Sequence, residues 1–157
     1  FAMLADALRV TSVARCPRLP DGAADVLTIS DNPTLGVYLA GLFQQTGWKI
    51  AHTRSCAAGM AFARDHGAAV VVCEEILPDG AWDDAAAALA ELPHPPALIV
   101  VGGDQGLPRE VAAAGGFDAL VRPLREADVM WTIASAWHGW VKHLEGVGSG
   151  GEPCPGA

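Results

Sequence analysis

Short apolar runs and longer stretches with helical spacing follow one another along this chain. Four runs are rich in valine, leucine, isoleucine or alanine, at residues 26–29, 68–73, 97–101 and 117–121, and a more polar stretch at 48–53 completes the series. Continuous apolar runs of this length are typical of strands that are covered on both faces, as in a parallel sheet. We therefore expect five strands, with the third the most apolar.

Helical stretches lie between and after these runs. Asn32 is a suitable cap for the first helix, and Pro33 fits its first position because an amide hydrogen there would lack a partner. Gly47 ends that helix, and Ser55 caps the next. The last helix has Trp131 to one side as a candidate exposed aromatic residue, and its apolar stripe consists of Met130, Ile133, Ala134, Trp137, Val141 and Leu144.

The order of these elements predicts the fold class. Strands that alternate with helices favour an α/β fold, here a doubly wound parallel five-stranded sheet flanked by five helices, of the flavodoxin-like type. We expect this domain at residues 24–145. An N-terminal extension or tail at 1–23 would precede it, and a flexible C-terminal tail of linker composition at 146–157 would follow it.

Composition and charge argue against several classes of function. The net charge is −8 and the ten lysines and arginines are scattered, whereas a nucleic-acid surface needs a basic patch or stripe. No apolar stretch approaches the ~20 residues of a membrane span. The four cysteines, two of them (Cys16 and Cys154) in the tails, show no C-x-x-C spacing, which favours reduced thiols in a cytoplasmic protein. We expect no nucleic acid, membrane or cofactor as a partner.

Two adjacent carboxylates, Glu74 and Glu75, close the third apolar run and precede a Leu-Pro-Asp-Gly turn. They would lie at the carboxyl end of a central strand. Ligands of open α/β sheets bind outside the carboxyl ends of the strands. This stretch is therefore the first candidate for a functional site.

Four segments, VLTISDNP, VVVCEEILPDG, LIVVGG and FDALVRPL, resemble the receiver domain of two-component response regulators. In that family an acidic pair ends strand one, a phosphoacceptor aspartate ends strand three, a threonine or serine ends strand four, and a lysine-proline pair follows strand five. The E-x-x-L-P-D-G turn and the arginine-proline pair carry the resemblance in combination. It covers residues 25–144 and implies a receiver-type fold in signal transduction.

The chain departs from the family at the residues that carry its chemistry. Glu74 stands at the phosphoacceptor position, and its extra methylene would misplace the carboxylate for in-line attack. The acidic pair is reduced to Ser30 and Asp31. A magnesium site implied by the resemblance would keep only Asp31, Glu74 and the carbonyl of Ile76 as protein ligands, so we expect weak binding or none.

The remaining pocket positions differ as well. Gly102 replaces the hydroxyl residue that would hydrogen-bond a phosphoryl group, and Arg122 replaces the lysine with a planar fork suited to a carboxylate. Ala119 stands where many receivers place the aromatic residue that swings between states. Glu75 completes the pocket. Together these changes predict a degenerate receiver, or pseudo-receiver.

The resulting hypothesis is a non-enzymatic signalling module that is not phosphorylated in the usual way and acts through protein contacts. Its partner would be a histidine kinase or an output protein, and the chain would form a homodimer. In receivers the face made by helix four, strand five and helix five is the common contact surface, which here would include Arg109, Glu110, Ala113 and Trp131.

Alternatives stay open at this point. Glu74 either reaches Arg122 and imitates a phosphorylated aspartate, or it belongs to a charged pair on a solvated rim where the chemistry has been lost. A receiver could still accept a phosphoryl group at an atypical residue, Asp31 or Glu75, within a phosphorelay. A flavodoxin-like domain that binds a small ligand at the strand ends is the second alternative.

Overall fold

The computed structural model describes residues 22–148, with side chains through residue 143. The predictions for residues 1–21 and 149–157, including those for Cys16 and Cys154, lie outside the described residues. None of the described helices is both long and apolar enough to cross a bilayer.

A five-stranded parallel sheet forms the centre of the domain. Its strands are β1 (Ala24–Ile29), β2 (Ile50–Thr53), β3 (Ala68–Glu74), β4 (Ala97–Gly102) and β5 (Asp118–Val121), in the order β2-β1-β3-β4-β5. This order is the flavodoxin-like one, in which ligands bind where the strand order reverses, between β1 and β3. The predicted fold class is confirmed.

Five helices cover the two faces of the sheet: α1 (Thr34–Leu42), α2 (Cys56–Asp65), α3 (Trp82–Ala90), α4 (Leu107–Ala113) and α5 (Glu126–Gly148). Helices α1 and α5 pack on one face, and α2, α3 and α4 pack on the other. The three valines of β3 are fully buried because both faces are covered. Val70 and Val72 face α1 and α5, whereas Val71 faces the opposite cluster.

Several element boundaries differ from prediction. Helix α1 begins at Thr34, one residue after Pro33, although Asn32 Oδ1 accepts a hydrogen bond from the Thr34 amide at 3.0 Å. Strand β2 begins at Ile50 because Trp48 instead packs in an aromatic stack with Phe43 and Trp137. Strand β5 begins at Asp118, and α5 runs on to Gly148, three residues past Glu145, after which a tail was expected.

The Leu-Pro-Asp-Gly turn has a structural role that the sequence patterns did not indicate. It joins the strands Ile76–Leu77 and Gly80–Ala81 of a short antiparallel ribbon. At its tip, the two carboxylate oxygens of Asp79 accept hydrogen bonds from the amides of Cys56 and Ala57, at 2.8 and 2.9 Å. Asp79 therefore satisfies two free donors at the start of α2 and fastens the turn to that helix.

Replacing Asp79 with asparagine is expected to lower the thermal midpoint at neutral pH and to have less effect in acid. The hydrogen bonds from the amides of Ala57 and Cys56 hold the pKa of Asp79 below its ordinary value of 3.8. A carboxyl group with a lowered folded-state pKa stabilises the fold above its unfolded pKa, and this contribution is lost as pH falls through the folded value. Thermal melts from pH 7 downwards measure the difference.

Asp65→Asn is the matched control, since Asp65 lies at the opposite end of the same helix and is exposed. The thermal midpoint of Asp65→Asn should stay close to that of the wild-type chain from pH 7 into acid. A deficit of Asp79→Asn that stayed constant into strong acid would contradict the assignment.

Candidate functional site

The carboxyl ends of β1, β3, β4 and β5 bring four predicted site residues to one edge of the sheet. Ser30 follows β1, Glu74 ends β3, Gly102 ends β4 and Arg122 follows β5. Ser30 and Gly102 are buried, Glu74 is half-buried and Arg122 is exposed. The edge is therefore a compact polar site above an apolar core.

An ion pair between Glu74 and Arg122 occupies the middle of this edge. Arg122 Nη2 lies 2.8 Å from Glu74 Oε1 and 2.9 Å from Oε2, so one nitrogen serves both carboxylate oxygens. The Glu74 side chain is only 15% exposed, and that of Arg122 is 47% exposed. The pair thus has one largely enclosed partner and one exposed partner.

Ser30 adds a third contact to Glu74. Its hydroxyl lies 3.0 Å from Glu74 Oε2 and, alternatively, 3.0 Å from the Asn32 carbonyl, and its one hydrogen serves one of these acceptors at a time. The same oxygen accepts the Asn32 amide at 3.1 Å. Ser30 therefore joins the β1–α1 loop to the ion pair.

Asp31, the second residue predicted to bind magnesium, points to a different partner. Its side chain is 71% exposed and lies 3.8 Å from Arg54 Nη2. Arg54 also donates to the Asp31 carbonyl at 3.2 Å. Among the described residues, no three histidine, cysteine, aspartate or glutamate side chains form a group that could hold a metal ion.

This donor set fits magnesium poorly. Magnesium needs several oxygen ligands in near-octahedral geometry, with negative charge to balance its own. Two carboxylates were predicted to bind the magnesium ion. Glu74 is already paired with Arg122, and Asp31 lies beside Arg54. A cation would compete with Arg122 for Glu74, and the exposed Asp31 side chain points to Arg54 and not to Glu74.

Glu75 lies beside Gly102 and not beside Arg122. Its amide donates to the Val101 carbonyl at 2.8 Å, which extends the contact between the chain after β3 and strand β4. Its side chain covers the position that a Cβ atom at residue 102 would occupy. The side chains of the two adjacent glutamates thus contact the ends of two different strands, Glu74 at β5 and Glu75 at β4.

The residues predicted for the contact surface are all exposed: Arg109, Glu110, Ala113 and Trp131. Trp131, at 70%, is among the most exposed large apolar side chains of the described residues. Beside it, an open groove of about 440 Å³ runs between α5 and the end of β5, and Ala119 and Arg125 contribute to its lining. The small side chain of Ala119 leaves this groove unfilled by an aromatic ring.

A second open cavity, of about 320 Å³, lies on the other side of the ion pair. Its lining includes Tyr38, Leu124 and the ion pair itself. Burial, and secondarily the charge of Glu126, raise the pKa of the Tyr38 hydroxyl. This hydroxyl therefore stays protonated at neutral pH and does not serve as a general base.

The Glu74 carboxylate is held by contacts at both of its oxygens. Both oxygens of Glu74 accept hydrogen bonds, so no lone carboxylate is presented to an incoming group. Gly102 supplies no hydroxyl, and the side chain at the switch position is a methyl group.

Sequence patterns missed two functional features of this edge. The placement of Glu75 over Gly102 has one signal in the sequence, namely an extra acidic residue after β3 together with a glycine where a side chain is expected. The hydrogen bond of Ser30 to Glu74 has none, because it depends on how the end of β1 meets β3.

Comparisons with known proteins agree on the fold. No family model and no curated sequence matches the chain. A signal receiver domain from Vibrio parahaemolyticus superposes with a TM-score of 0.72 at 17% identity, over 80% of this chain and 98% of that one. The chemotaxis response regulator CheY4 of Vibrio cholerae gives 0.65 at 15% identity, over 73% and 98%.

Two further structures show the same likeness. A response regulator receiver domain from Clostridium thermocellum has a TM-score of 0.66 at 22% identity, over 77% of this chain and 98% of that one. The beryllofluoride-activated receiver domain dimer of NtrC4 gives 0.67 at 16% identity, over 76% and 98%. Identities this low establish architecture and leave chemistry to be argued from the site. The chain has the CheY-like, flavodoxin-type fold of response-regulator receiver domains.

Proposed function

We propose that this protein is a pseudo-receiver: a non-enzymatic signalling module that keeps the receiver architecture, bypasses the aspartyl-phosphate cycle and acts through protein contacts. The observation that carries this proposal is the closed ion pair between Glu74 and Arg122. A receiver needs an available carboxylate at this position, whereas here the carboxylate is longer and is already paired.

The ion pair also supports one of the two interpretations of Glu74. Its carboxylate reaches across to β5 and binds the cationic residue that follows that strand. A negative group bound there by a cation resembles, in charge and position, what a phosphoryl group would supply. The module would therefore remain in one signalling state, set by its own side chains.

The contact face of this module is formed by α4, β5 and α5. It carries Trp131, exposed beside an open groove, and two charges of opposite sign on its rim, Arg125 and Asp128. Under two-fold symmetry, a residue on one copy meets its complement on the other, so opposite charges on one rim can pair across the axis. The NtrC4 receiver domain, which shares the fold, is a dimer.

Light scattering should show a dimer at high concentration that depends on Trp131. Exposed aromatic residues at the centre of an interface contribute the largest share of its energy. Trp131→Arg is expected to raise the dissociation constant about 30-fold or more. Val37→Arg is the control, since Val37 is 72% exposed but lies on α1, away from this face.

A wild-type chain that stays monomeric at high concentration would refute the homodimer. Equal losses of dimer affinity in Trp131→Arg and Val37→Arg would show that the interface is not centred on Trp131.

A further inference from the structure

Gly102 is enclosed by side chains, although its backbone has an ordinary conformation. Its φ lies outside the left-handed region, so the backbone alone would accept any residue. A Cβ atom at this position would lie 2.8 Å from Leu107 Cδ2 and 3.0 Å from Glu75 Cβ, and closer still to Glu75 Oε1. A side chain at residue 102 would therefore push aside the ends of the Glu75 and Leu107 side chains, whereas the backbone conformation itself does not call for glycine.

The adjacent Gly103 is the opposite case. A Cβ atom there would meet nothing within 4 Å, and its φ is also outside the left-handed region. The contrast between two neighbouring glycines shows that Glu75 and Leu107 enclose one residue specifically.

Gly102 also supports the ion pair through its backbone. Its carbonyl accepts the amide of Arg122 at 2.8 Å, and Arg122 in turn binds Glu74. The side chain of Glu75, the residue after Glu74, also lies against Gly102. These four residues form a closed set of contacts among the ends of β3, β4 and β5.

We propose that Glu75 is the positioning residue of this closed set: its side chain takes the place of the missing side chain at position 102 and fixes the loop that leads from β4 into α4. Glu75 is itself fixed by its backbone, because its amide binds the Val101 carbonyl and its carbonyl accepts the amide of Trp82 at 3.0 Å. Glu75 and Gly102 are thus a compensating pair, in which the side chain of the first fills the space left by the second.

The position of α4 follows from this contact. Leu107, the first residue of α4, is fully buried, and its side chain lies beside Gly102 together with that of Glu75. Removing the Glu75 side chain would leave Leu107 and the β4–α4 loop free to rearrange. The effect on the contact face, to which α4 belongs, rests on the proposed function; the effect on the loop does not.

A double-mutant cycle tests the steric pairing. Gly102→Ala is expected to lower the thermal midpoint by about 5 °C, because an extra methyl group in a filled space forces its neighbours to shift. Gly103→Ala should change it by about 1 °C or less. In a Glu75→Ala background the cost of Gly102→Ala should fall to about 2 °C or less, since the closest clash is gone and Leu107 can relax.

Amide hydrogen exchange tests the positioning role separately from stability. Glu75→Ala should speed exchange at Leu107 and Arg122 about tenfold while it leaves the midpoint nearly unchanged. Glu75→Gln, which keeps the shape and removes the charge, should restore wild-type exchange.

Two results would overturn the proposal: an equal cost of Gly102→Ala with and without Glu75, or unchanged exchange at both amides in Glu75→Ala. These readouts need no partner. If the loop loosens as expected but no dimer forms in any variant, the proposed contact face fails and the role of Glu75 stands.

Discussion

Replacing Trp137 with alanine is expected to lower the free energy of unfolding by about 3–5 kcal/mol, the range for large buried aromatic residues. Trp137 is 1% exposed and sits at the middle of the contact between α5 and the sheet. Its ring stacks on Trp48 with centroids 4.9 Å apart, and its Nε1 donates to Asp25 Oδ1 at 3.0 Å. Alanine would leave a cavity and also remove one partner of Asp25.

Denaturant unfolding monitored by far-UV circular dichroism measures this loss, and the same helix provides the control. Trp131→Ala should change the unfolding free energy by about 0.5 kcal/mol or less at a concentration where the chain is monomeric, because Trp131 is 70% exposed. Trp137→Phe should cost less than Trp137→Ala, since it keeps a ring and loses the hydrogen bond to Asp25. Similar losses in Trp131→Ala and Trp137→Ala would show that α5 is oriented differently.

The orientation of α5 connects this prediction to function. Trp137 and Trp131 lie on different sides of one helix, so fixing the first against the sheet directs the second to solvent. The buried anchor therefore determines which side chains α5 would contribute to the proposed contact face.

Most of the fold follows from periodicity. The valines of β3 identified a strand covered on both faces, and the apolar stripe of α5 separated buried Trp137 from exposed Trp131. Both predictions succeed because a continuous apolar run and a helical apolar stripe can be recognised in the sequence itself. Trp48 was misassigned to a strand because it is apolar, whereas its position is decided by stacking against residues distant in sequence.

The site is harder to derive, because its geometry depends on contacts between strand ends. The resemblance to receivers brought Glu74 and Arg122 to one edge, yet only the structure gives their 2.8 Å separation and the enclosure of Glu74. Asp31 was grouped with Glu74 as a magnesium ligand, whereas the side chain lies beside Arg54. The sequence pattern identified Asp79 only as a turn residue. Its hydrogen bonds to the start of α2 could not be predicted, because that helix begins more than 20 residues earlier in the chain.

Incubation with magnesium and a small phosphodonor is expected to leave the mass of the chain unchanged, an all-or-none difference from a phosphorylatable receiver. Transfer needs a carboxylate free to attack in line and a cation to balance the developing charge. Glu74 is paired with Arg122 and hydrogen-bonded by Ser30, and the donor set fits magnesium poorly. The variant Glu74→Gln, which lacks the carboxylate, serves as the matched control.

Intact-mass spectrometry after this incubation is the most direct measurement, with a receiver domain that has aspartate at the acceptor position treated in parallel. We expect that receiver to gain one phosphoryl group while the wild-type chain and Glu74→Gln gain none. A phosphoryl adduct on the wild-type chain would contradict the pseudo-receiver proposal. If Glu74→Gln lost that adduct, the acceptor would be Glu74; if the variant retained it, the acceptor would be another residue, with Asp31 and Glu75 the first to map.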